Sequence, residues 1–349
     1  MTILTRRRFS TLAGSALLLP ALPSFAQSNP SLAALHEAAR KEGELTWYMT
    51  HLPSEEGEQM ASLFTKTYPG VKVNVVRTTA QIAYQRLNQD LRAGVANCDV
   101  FGSTDIGHYV ELKQKKLLLK YVPAGEALMH PVLRGVDPDG YFVTTSASLI
   151  SLLYNTNKVK AADAPKSWTD LLAPKWQGQA SVGHPGFSGY VGTWAVEMKK
   201  LFGDDFFKKL AANKPQVGRS IIDTVTTLIS GERSISAGPA SLAYLQAAKG
   251  NPIGVSLPSE GSVLMILPSA IMANAKHPNA AKLFLEWLTG SDEANQFAYN
   301  DYAIPLRAST GTKPPMPGLG QTKTVRPSNA EIVTGIPAVT ELWRDAFGV

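Results

Sequence analysis

The chain has 349 residues, of which 44% are hydrophobic and 18% charged, so it can bury a large core and is long enough for two ordinary domains. This composition excludes a disordered or collagen-like chain. Three arginines and no acids lie in residues 1–26, so the remainder, with 31 basic and 28 acidic residues, is only mildly basic. No basic run with interleaved aromatic residues follows. This small excess of basic residues argues against a nucleic-acid partner and suits a small anionic ligand.

The first 26 residues have the pattern of an export signal. Arginines at 6–8 precede an apolar stretch from Leu12 to Leu22, and Ser24-Phe25-Ala26 offers small residues where a signal peptidase cleaves. The arginine pair resembles a Tat signal, and the general secretory route stays open. We expect cleavage after Ala26 and a soluble periplasmic protein without a lipid anchor. Cys98 is the only cysteine, so an intramolecular disulfide is excluded, and we expect this residue to be buried.

The segment after the signal alternates helices and strands, which indicates a largely parallel sheet. The predicted helices are Ser31–Lys41, Ser54–Thr67, Ala80–Arg92 and Asp105–Lys113, and the predicted strands are Glu44–Met49, Val71–Val76 and Cys98–Gly102. Ligands bind beyond the carboxyl ends of such strands. The cleft candidates there are Thr50, His51, Ser103, Thr104 and Asp105. For each of them a helix cap or turn hydrogen bond is an equal alternative, most clearly for Asp105.

A long, nearly uncharged run, Tyr141–Asn155, predicts a buried strand that crosses between two domains. Beyond it the alternation resumes as a second domain of the same class. The predicted helices are Trp168–Leu172, Asp204–Ala212, Ser220–Ser230, Asn279–Thr289 and Asp292–Tyr299, and the strands are Gln179–Val182, Arg233–Ala237 and the returning strand Ser262–Ile271. A Pro/Gly-rich connector spans Lys313–Gly320.

The glycine-rich stretch Ser181–Trp194 leads directly into an amphipathic helix that should begin near Ser188 and end before Gly203. A helix start exposes unpaired N–H groups, and glycines let a ligand approach the backbone, so this loop suits a small anion. A plain strand-to-helix turn is the alternative. The same reasoning applies to two other loops, Gly238–Ser241 and Pro258–Ser262. In the first of them, Pro239 is expected at a first helical position. The binding candidates on these loops are His184, Ser188, Gly189, Gly238, Ala240, Ser241, Glu260 and Ser262.

Three segments, Trp168–Gly178, His277–Trp287 and Ala303–Arg307, resemble periplasmic extracellular solute-binding proteins, closest to the subgroup named for ferric iron transport. The resemblance covers about Glu44 to Arg307. It implies a two-lobed periplasmic-binding-protein fold, in which each lobe is a mixed sheet flanked by helices and crossover strands join the lobes. With approximate boundaries, the first lobe comprises residues 27–148 and 267–349, and the second 149–266. The resemblance also implies a monomer that delivers its ligand to an ABC permease at the inner membrane.

Iron-binding members of the subgroup carry adjacent tyrosines in the segment that here reads Ser236–Tyr244, and the pair is absent. Ferric iron needs several converging oxygen ligands, which the small residues there do not supply. Relatives of this pattern take up phosphonates, phosphate esters, thiamine, polyamines or organic acids. We therefore expect a small organic or phosphorus-containing anion and no cofactor, with a ferric-iron receptor as the alternative.

A secreted serine hydrolase is the competing class, on the basis of Gly186-Phe-Ser-Gly-Tyr190. A nucleophile elbow needs glycine two residues after the serine, where this chain has Tyr190. The histidines show no pair at metal-ligand spacing. The sequence thus predicts a binding protein with no catalytic residue and no metal site.

Overall fold

The computed structural model describes Met1 and residues 31–348. Apart from Met1, the predicted export signal and its cleavage site at Ala26 lie outside the described residues. Leu32–Val349 forms one compact unit. In the described part of the chain, no helix has both the length and the apolar character needed to cross a membrane.

A single mixed sheet runs through this unit. Its strands are β1 (Glu44–Met49), β2 (Lys72–Arg77), β3 (Val100–Gly102), β4 (Leu118–Leu119), β5 (Val143–Asn155), β6 (Ala180–Gly183), β7 (Gln216–Gly218), β8 (Ile235–Pro239), β9 (Ile253–Ser256), β10 (Ser262–Met272) and β11 (Thr324–Val325). The order along the sheet is β2-β1-β3-β10-β5-β8-β6-β7, with β4 and β11 paired to β10 and β9 paired to β5.

Helices cover this sheet. They are α1 (Leu32–Glu42), α2 (Ser54–Thr67), α3 (Ala80–Arg92), α4 (Ile106–Gln114), α5 (Gly189–Phe202), α6 (Asp205–Ala212), α7 (Ile221–Ile229), α8 (Ala240–Ala248), α9 (Pro278–Gly290), α10 (Asp292–Asn300) and α11 (Asn329–Phe347). The predicted helix Trp168–Leu172 is a 3-10 turn. Pro239, expected at a first helical position, is instead the last residue of β8 and the N-cap of α8, because its extended backbone continues the strand.

The sheet has a parallel group of strands at each end. β1 pairs in parallel with β2 and β3, and β6 pairs in parallel with β7 and β8. We call the part built on β1–β3 the first lobe and the part built on β6–β8 the second lobe. The helices that follow these strands, such as α2 after β1 and α8 after β8, begin at the carboxyl ends of their strands. This arrangement brings the loops at those ends toward the boundary between the lobes.

The two long strands β5 and β10 lie in both lobes and confirm the predicted crossovers. They pair antiparallel with each other from Val143 opposite Ser269 to Ile150 opposite Val263. Nearly every residue of both strands is buried, which explains why their sequences carry no charges. The predicted lobe boundaries fall inside β5 and β10 and stay a prediction.

Each lobe packs aromatic side chains behind its end of the sheet. In the first lobe the Phe284 ring lies 5.1 Å from both Trp47 and Phe64. In the second lobe Trp194 lies 6.0 Å from Trp168. The C-terminal helix α11, which was not predicted, packs on α5 and α6 of the second lobe and on α4 of the first. Cys98 is buried, as expected.

Candidate functional site

A cavity lies between the lobes. The first lobe, the crossover strand β5 and the second lobe all contribute to its wall. The lining residues are His51, Leu52, Pro53, Glu56, Ser146, Ala147, Ser148, Tyr190, Ile221, Ile222, Pro239, Ser241, Leu242, Leu245, Asp301 and Ala303. A molecule bound here would therefore touch both lobes at once.

His51 enters the cavity from the carboxyl end of β1, where the strand stops at Met49. Its ring packs edge-on against Trp47, with 5.9 Å between the ring centres. Burial, together with the smaller effect of the positive charge of Arg77, lowers the pKa of His51 to about 4. The imidazole is therefore neutral at physiological pH, and each ring nitrogen can either donate or accept a hydrogen bond.

Neutral hydroxyl groups form the part of the wall shared by β5 and the second lobe. Ser146 and Ser148 come from β5, and the Ser148 Oγ lies 3.1 Å from the Ser241 Oγ on α8. Burial raises the pKa of the Tyr190 phenol, with a smaller opposing effect of Ser148. These groups stay protonated and can donate hydrogen bonds to a ligand.

The N-terminus of α8 meets the cavity at Pro239 and Ser241. Within residues 31–348, no side chain caps this helix, and its first N–H groups, at Ala240 and Ser241, carry the positive end of the helix dipole. The neighbouring α7 differs, because Ser220 and Asp223 close its N-terminus with a capping box. The start of α8 is thus the better position for a negatively charged ligand group.

Two carboxylates line the first-lobe side of the cavity. Glu56, in the first turn of α2, is only 8% exposed, and Asp301 follows the last residue of α10. Burial, with a smaller contribution from the negative charge of Glu56, raises the pKa of Asp301 to about 6. Glu56 Oε2 and Asp301 Oδ2 are buried and find no hydrogen-bond partner among the described residues.

The predicted rim residues of the first lobe hold one another in place. The Thr104 N–H donates to Thr50 Oγ1 at 3.1 Å, and the Ser103 Oγ lies 2.8 Å from His108 Nδ1. Asp105 is the N-cap of α4 and accepts from the Gly107 N–H at 2.8 Å. The alternative of a helix cap is therefore confirmed for Asp105. The cavity lining includes none of the four rim candidates Thr50, Ser103, Thr104 and Asp105.

The glycine-rich loop approaches the first lobe directly. His184 Nδ1 accepts from the Gly186 N–H at 2.9 Å, and Ser188 is the N-cap of α5, as predicted. At Gly189, an added Cβ would lie 2.3 Å from the carbonyl oxygen of Thr104 and 2.5 Å from the N of Asp105. The start of α5 therefore forms a close backbone contact between the lobes.

Three other candidates lie in structural positions away from the cavity lining. Glu260 accepts from the Ser167 Oγ at 2.5 Å, next to the 3-10 turn that begins at Trp168. The Ser262 Oγ pairs with the Ser151 Oγ at 2.7 Å between the crossover strands. Gly238 packs under Leu153, where a Cβ would approach within 2.5 Å.

Of the sequence candidates, His51 and Ser241 line the cavity, and Ala240 is adjacent at the start of α8. Five lining residues were not among the sequence candidates: Glu56, Ser146, Ser148, Tyr190 and Asp301. For the serines, the available signal was their alternation along a strand already identified as a crossover. Among the described residues, no three His, Cys, Asp or Glu side chains converge well enough to hold a metal ion.

Residues 99–325 match the family described as bacterial extracellular solute-binding protein. An uncharacterized Haemophilus influenzae protein is 28% identical over 146 residues, or 41% of this chain and 42% of its own length. The Fe(3+)-binding periplasmic protein of Serratia marcescens is 24% identical over 249 residues, or 65% of this chain and 70% of its own.

The fold also matches a solved structure. The periplasmic binding protein AfuA of Actinobacillus pleuropneumoniae, with exogenous fructose-6-phosphate bound, superimposes with a TM-score of 0.76 at 20% identity. The superposition covers 88% of this chain and 99% of that one. This likeness confirms the predicted two-lobed α/β fold.

Proposed function

Because the chain belongs to the bacterial extracellular solute-binding proteins, we propose that it is the substrate-binding component of an ABC importer. It captures a small solute in the cavity between its lobes and delivers it to a permease in the inner membrane. The family consists of binding proteins, which agrees with the absence of a nucleophile elbow around Ser188 in the sequence. The proposed function requires no catalytic residue.

The observation that carries this proposal is the composition of the cavity wall. His51 comes from the first lobe, Ser148 from a crossover strand, and Tyr190 and Ser241 from the second lobe. A ligand that touches both lobes binds the closed arrangement better than an open one, and this difference in affinity shifts the protein toward closure. A permease can then distinguish the loaded protein from the empty one.

We propose that the solute carries a negatively charged group, bound at the start of α8. The uncapped N–H groups of Ala240 and Ser241, the Ser241 and Ser148 hydroxyls and the neutral His51 all suit a phosphoryl or carboxylate group. The sugar phosphate bound by AfuA is in keeping with this ligand class.

A ferric-iron receptor is the second candidate, because the Serratia marcescens relative is an Fe(3+)-binding protein. The residues at the start of α8 are Pro239, Ala240 and Ser241, none of which offers a phenolate. Tyr244, further along α8, stacks on Tyr302 with 6.2 Å between the ring centres. We therefore favour the anion.

The proposal also includes export of the protein to the periplasm. The arginines at 6–8 and the tripeptide Ser24-Phe25-Ala26 support cleavage after Ala26, release into the periplasm as a soluble protein, and the Tat route. N-terminal sequencing of the periplasmic protein should begin at Gln27. Retention of residues 1–26 as a membrane anchor would contradict the localisation.

A thermal-shift screen of residues 27–349 tests the function. The panel contains phosphate esters, phosphonates, organic acids, polyamines, thiamine and ferric citrate. A ligand that binds only the folded protein stabilises it by about 2.7 kcal/mol at 100 times its dissociation constant, which is a clear shift. We expect the largest shift from an anion. A panel without any shift, or a shift from ferric citrate alone, would contradict the proposed ligand class.

A further inference from the structure

We propose that the solute carries an amine as well as its negative group, and that Glu56 and Asp301 bind the ammonium on the first-lobe side of the cavity. The ligand class is then a small amino-substituted anion, such as an aminated phosphate ester. This inference rests on the proposed function, since it adds a second charged group to the same solute.

Glu56 supplies the first observation. The side chain is 8% exposed, lines the cavity, and keeps Oε2 buried with no hydrogen-bond partner in the described chain. A buried carboxylate oxygen that lacks a donor costs free energy, because it has given up its hydrogen bonds to water. The first turn of α2 favours the negative charge through the helix dipole, yet it supplies no donor to this oxygen. A ligand donor in the cavity would satisfy it.

Asp301 supplies an independent observation on another helix. It is the C-cap of α10, where the negative end of the helix dipole opposes a carboxylate, and its Oδ2 also has no partner within residues 31–348. Burial and the charge of Glu56 raise the pKa of Asp301, while Lys249 and Lys313 act in the opposite direction. Lys313 is itself engaged, since its Nζ lies 4.3 Å from the centre of the Tyr302 ring.

The two carboxylates share one cavity, and none of the residues that line it with them is a lysine or an arginine. Their mutual repulsion and poor solvation therefore have no compensating cation in the wall. A ligand ammonium has three donors and a positive charge, so it can serve both carboxylates. A hydroxyl group has one donor and no charge, and would leave most of the repulsion in place.

The second-lobe part of the cavity wall has a different character. Ser148, Ser241 and the start of α8 offer donors and a positive dipole, whereas Glu56 and Asp301 offer only acceptors. A purely anionic solute would meet the carboxylates in the same cavity, and a purely cationic one would meet the helix N-terminus. A solute with both charges complements both groups.

Matched phosphate esters test the inference by calorimetry at pH 7.5. One pair is phosphoethanolamine and 2-hydroxyethyl phosphate, and the other is glucosamine 6-phosphate and glucose 6-phosphate. We expect the amine in at least one pair to bind about tenfold or more tightly than its hydroxyl partner. If phosphate esters bind but the hydroxyl partner equals or exceeds the amine in both pairs, the inference is overturned and the proposed function stands. If no phosphate or carboxylate compound binds, both are overturned.

Three variants assign the preference to the two carboxylates. Asp301→Asn and Glu56→Gln should each reduce the ratio of amine to hydroxyl affinity toward one, while the hydroxyl ester binds with little change. Glu55→Gln is the matched control, because Glu55 is the exposed neighbour of Glu56 on α2. A preference that survives in both cavity variants would place the amine elsewhere and overturn the assignment. A normal melting curve for each variant establishes that it folds.

Discussion

Gly189 is the position where a single methyl group should oppose lobe closure. In Gly189→Ala the new Cβ would lie 2.3 Å from the Thr104 carbonyl oxygen, 2.4 Å from its carbon and 2.5 Å from the Asp105 nitrogen. Non-bonded heavy atoms prefer a separation of about 3.5 Å, so the contact must open by roughly 1 Å. All three atoms belong to the backbone, which cannot yield as a flexible side chain can.

The size of the loss in ligand affinity depends on which state of the protein carries this strain. Overpacking by a methyl group costs about 1–3 kcal/mol, and here the cost falls only on the state in which the lobes touch. The affinity for ligand should therefore fall by about 5–150-fold. Gly189 has no left-handed backbone and is the first residue of α5, so alanine suits the helix itself. We expect the ligand-free protein to unfold at an unchanged or slightly higher temperature.

Calorimetry with the ligand found in the screen measures the affinity, and Gly192→Ala is the control on the same helix. The three atoms nearest to a Cβ at Gly192 all belong to the Ile336 side chain of α11, at 2.9–3.1 Å, and none is backbone, so the affinity of this variant should stay near that of the parent. If Gly189→Ala bound its ligand as tightly as the parent, the contact with Thr104 would not belong to the ligand-bound state, and this reasoning would fail.

Three further predictions concern the cavity. Because burial lowers the pKa of His51 to about 4, the unfolded chain takes up a proton before the folded one as the pH falls below about 6.5, so the protein loses stability between pH 6.5 and 4. His51→Gln should reduce that loss by on the order of 1–2 kcal/mol in urea unfolding, and equal acid sensitivity would refute the assignment. Ser241→Ala should weaken ligand binding by about 1 kcal/mol, the usual net value of one hydrogen bond, and an unchanged dissociation constant would exclude that contact. The purified protein should remain colourless with ferric citrate, since the start of α8 lacks tyrosine, whereas a visible charge-transfer band would support the iron receptor.

The sequence predicted most clearly the helices and strands with a regular hydrophobic period or a long buried run. β5 was recognisable because thirteen consecutive residues, Val143–Asn155, carry no charge. The short strands β4 and β9 show no such period and were not predicted, whereas the equally short β3 and β6 were. In α11, Pro337 lies inside the helix, where proline normally ends one, so tertiary packing against α5 outweighs the local preference.

The candidate site was predictable to the extent that strand topology determined it. His51 and Ser241 follow the carboxyl ends of β1 and β8. The rule for parallel sheets identified His51, and the unpaired N–H groups expected at a helix start identified Ser241. Glu56 could not be distinguished from an ordinary acidic residue in a helix first turn, and Asp301 resembles a surface residue after a helix. Only the fold shows that these two side chains, distant in sequence, face one cavity. A ligand role for the Ser188–Gly189 loop stays a prediction.

The sharing of β5 and β10 between the lobes has a consequence for how the molecule unfolds. Each lobe depends on a segment of both strands, so neither retains a complete sheet when the chain is cut near residue 148 or 266. Heating should therefore produce one cooperative calorimetric transition instead of two. Pairing Val143 with Ser269 also joins segments that lie far apart in the sequence, and such non-local pairing slows folding. A newly made chain would thus spend an extended time without its native sheet, during which chaperones can engage it.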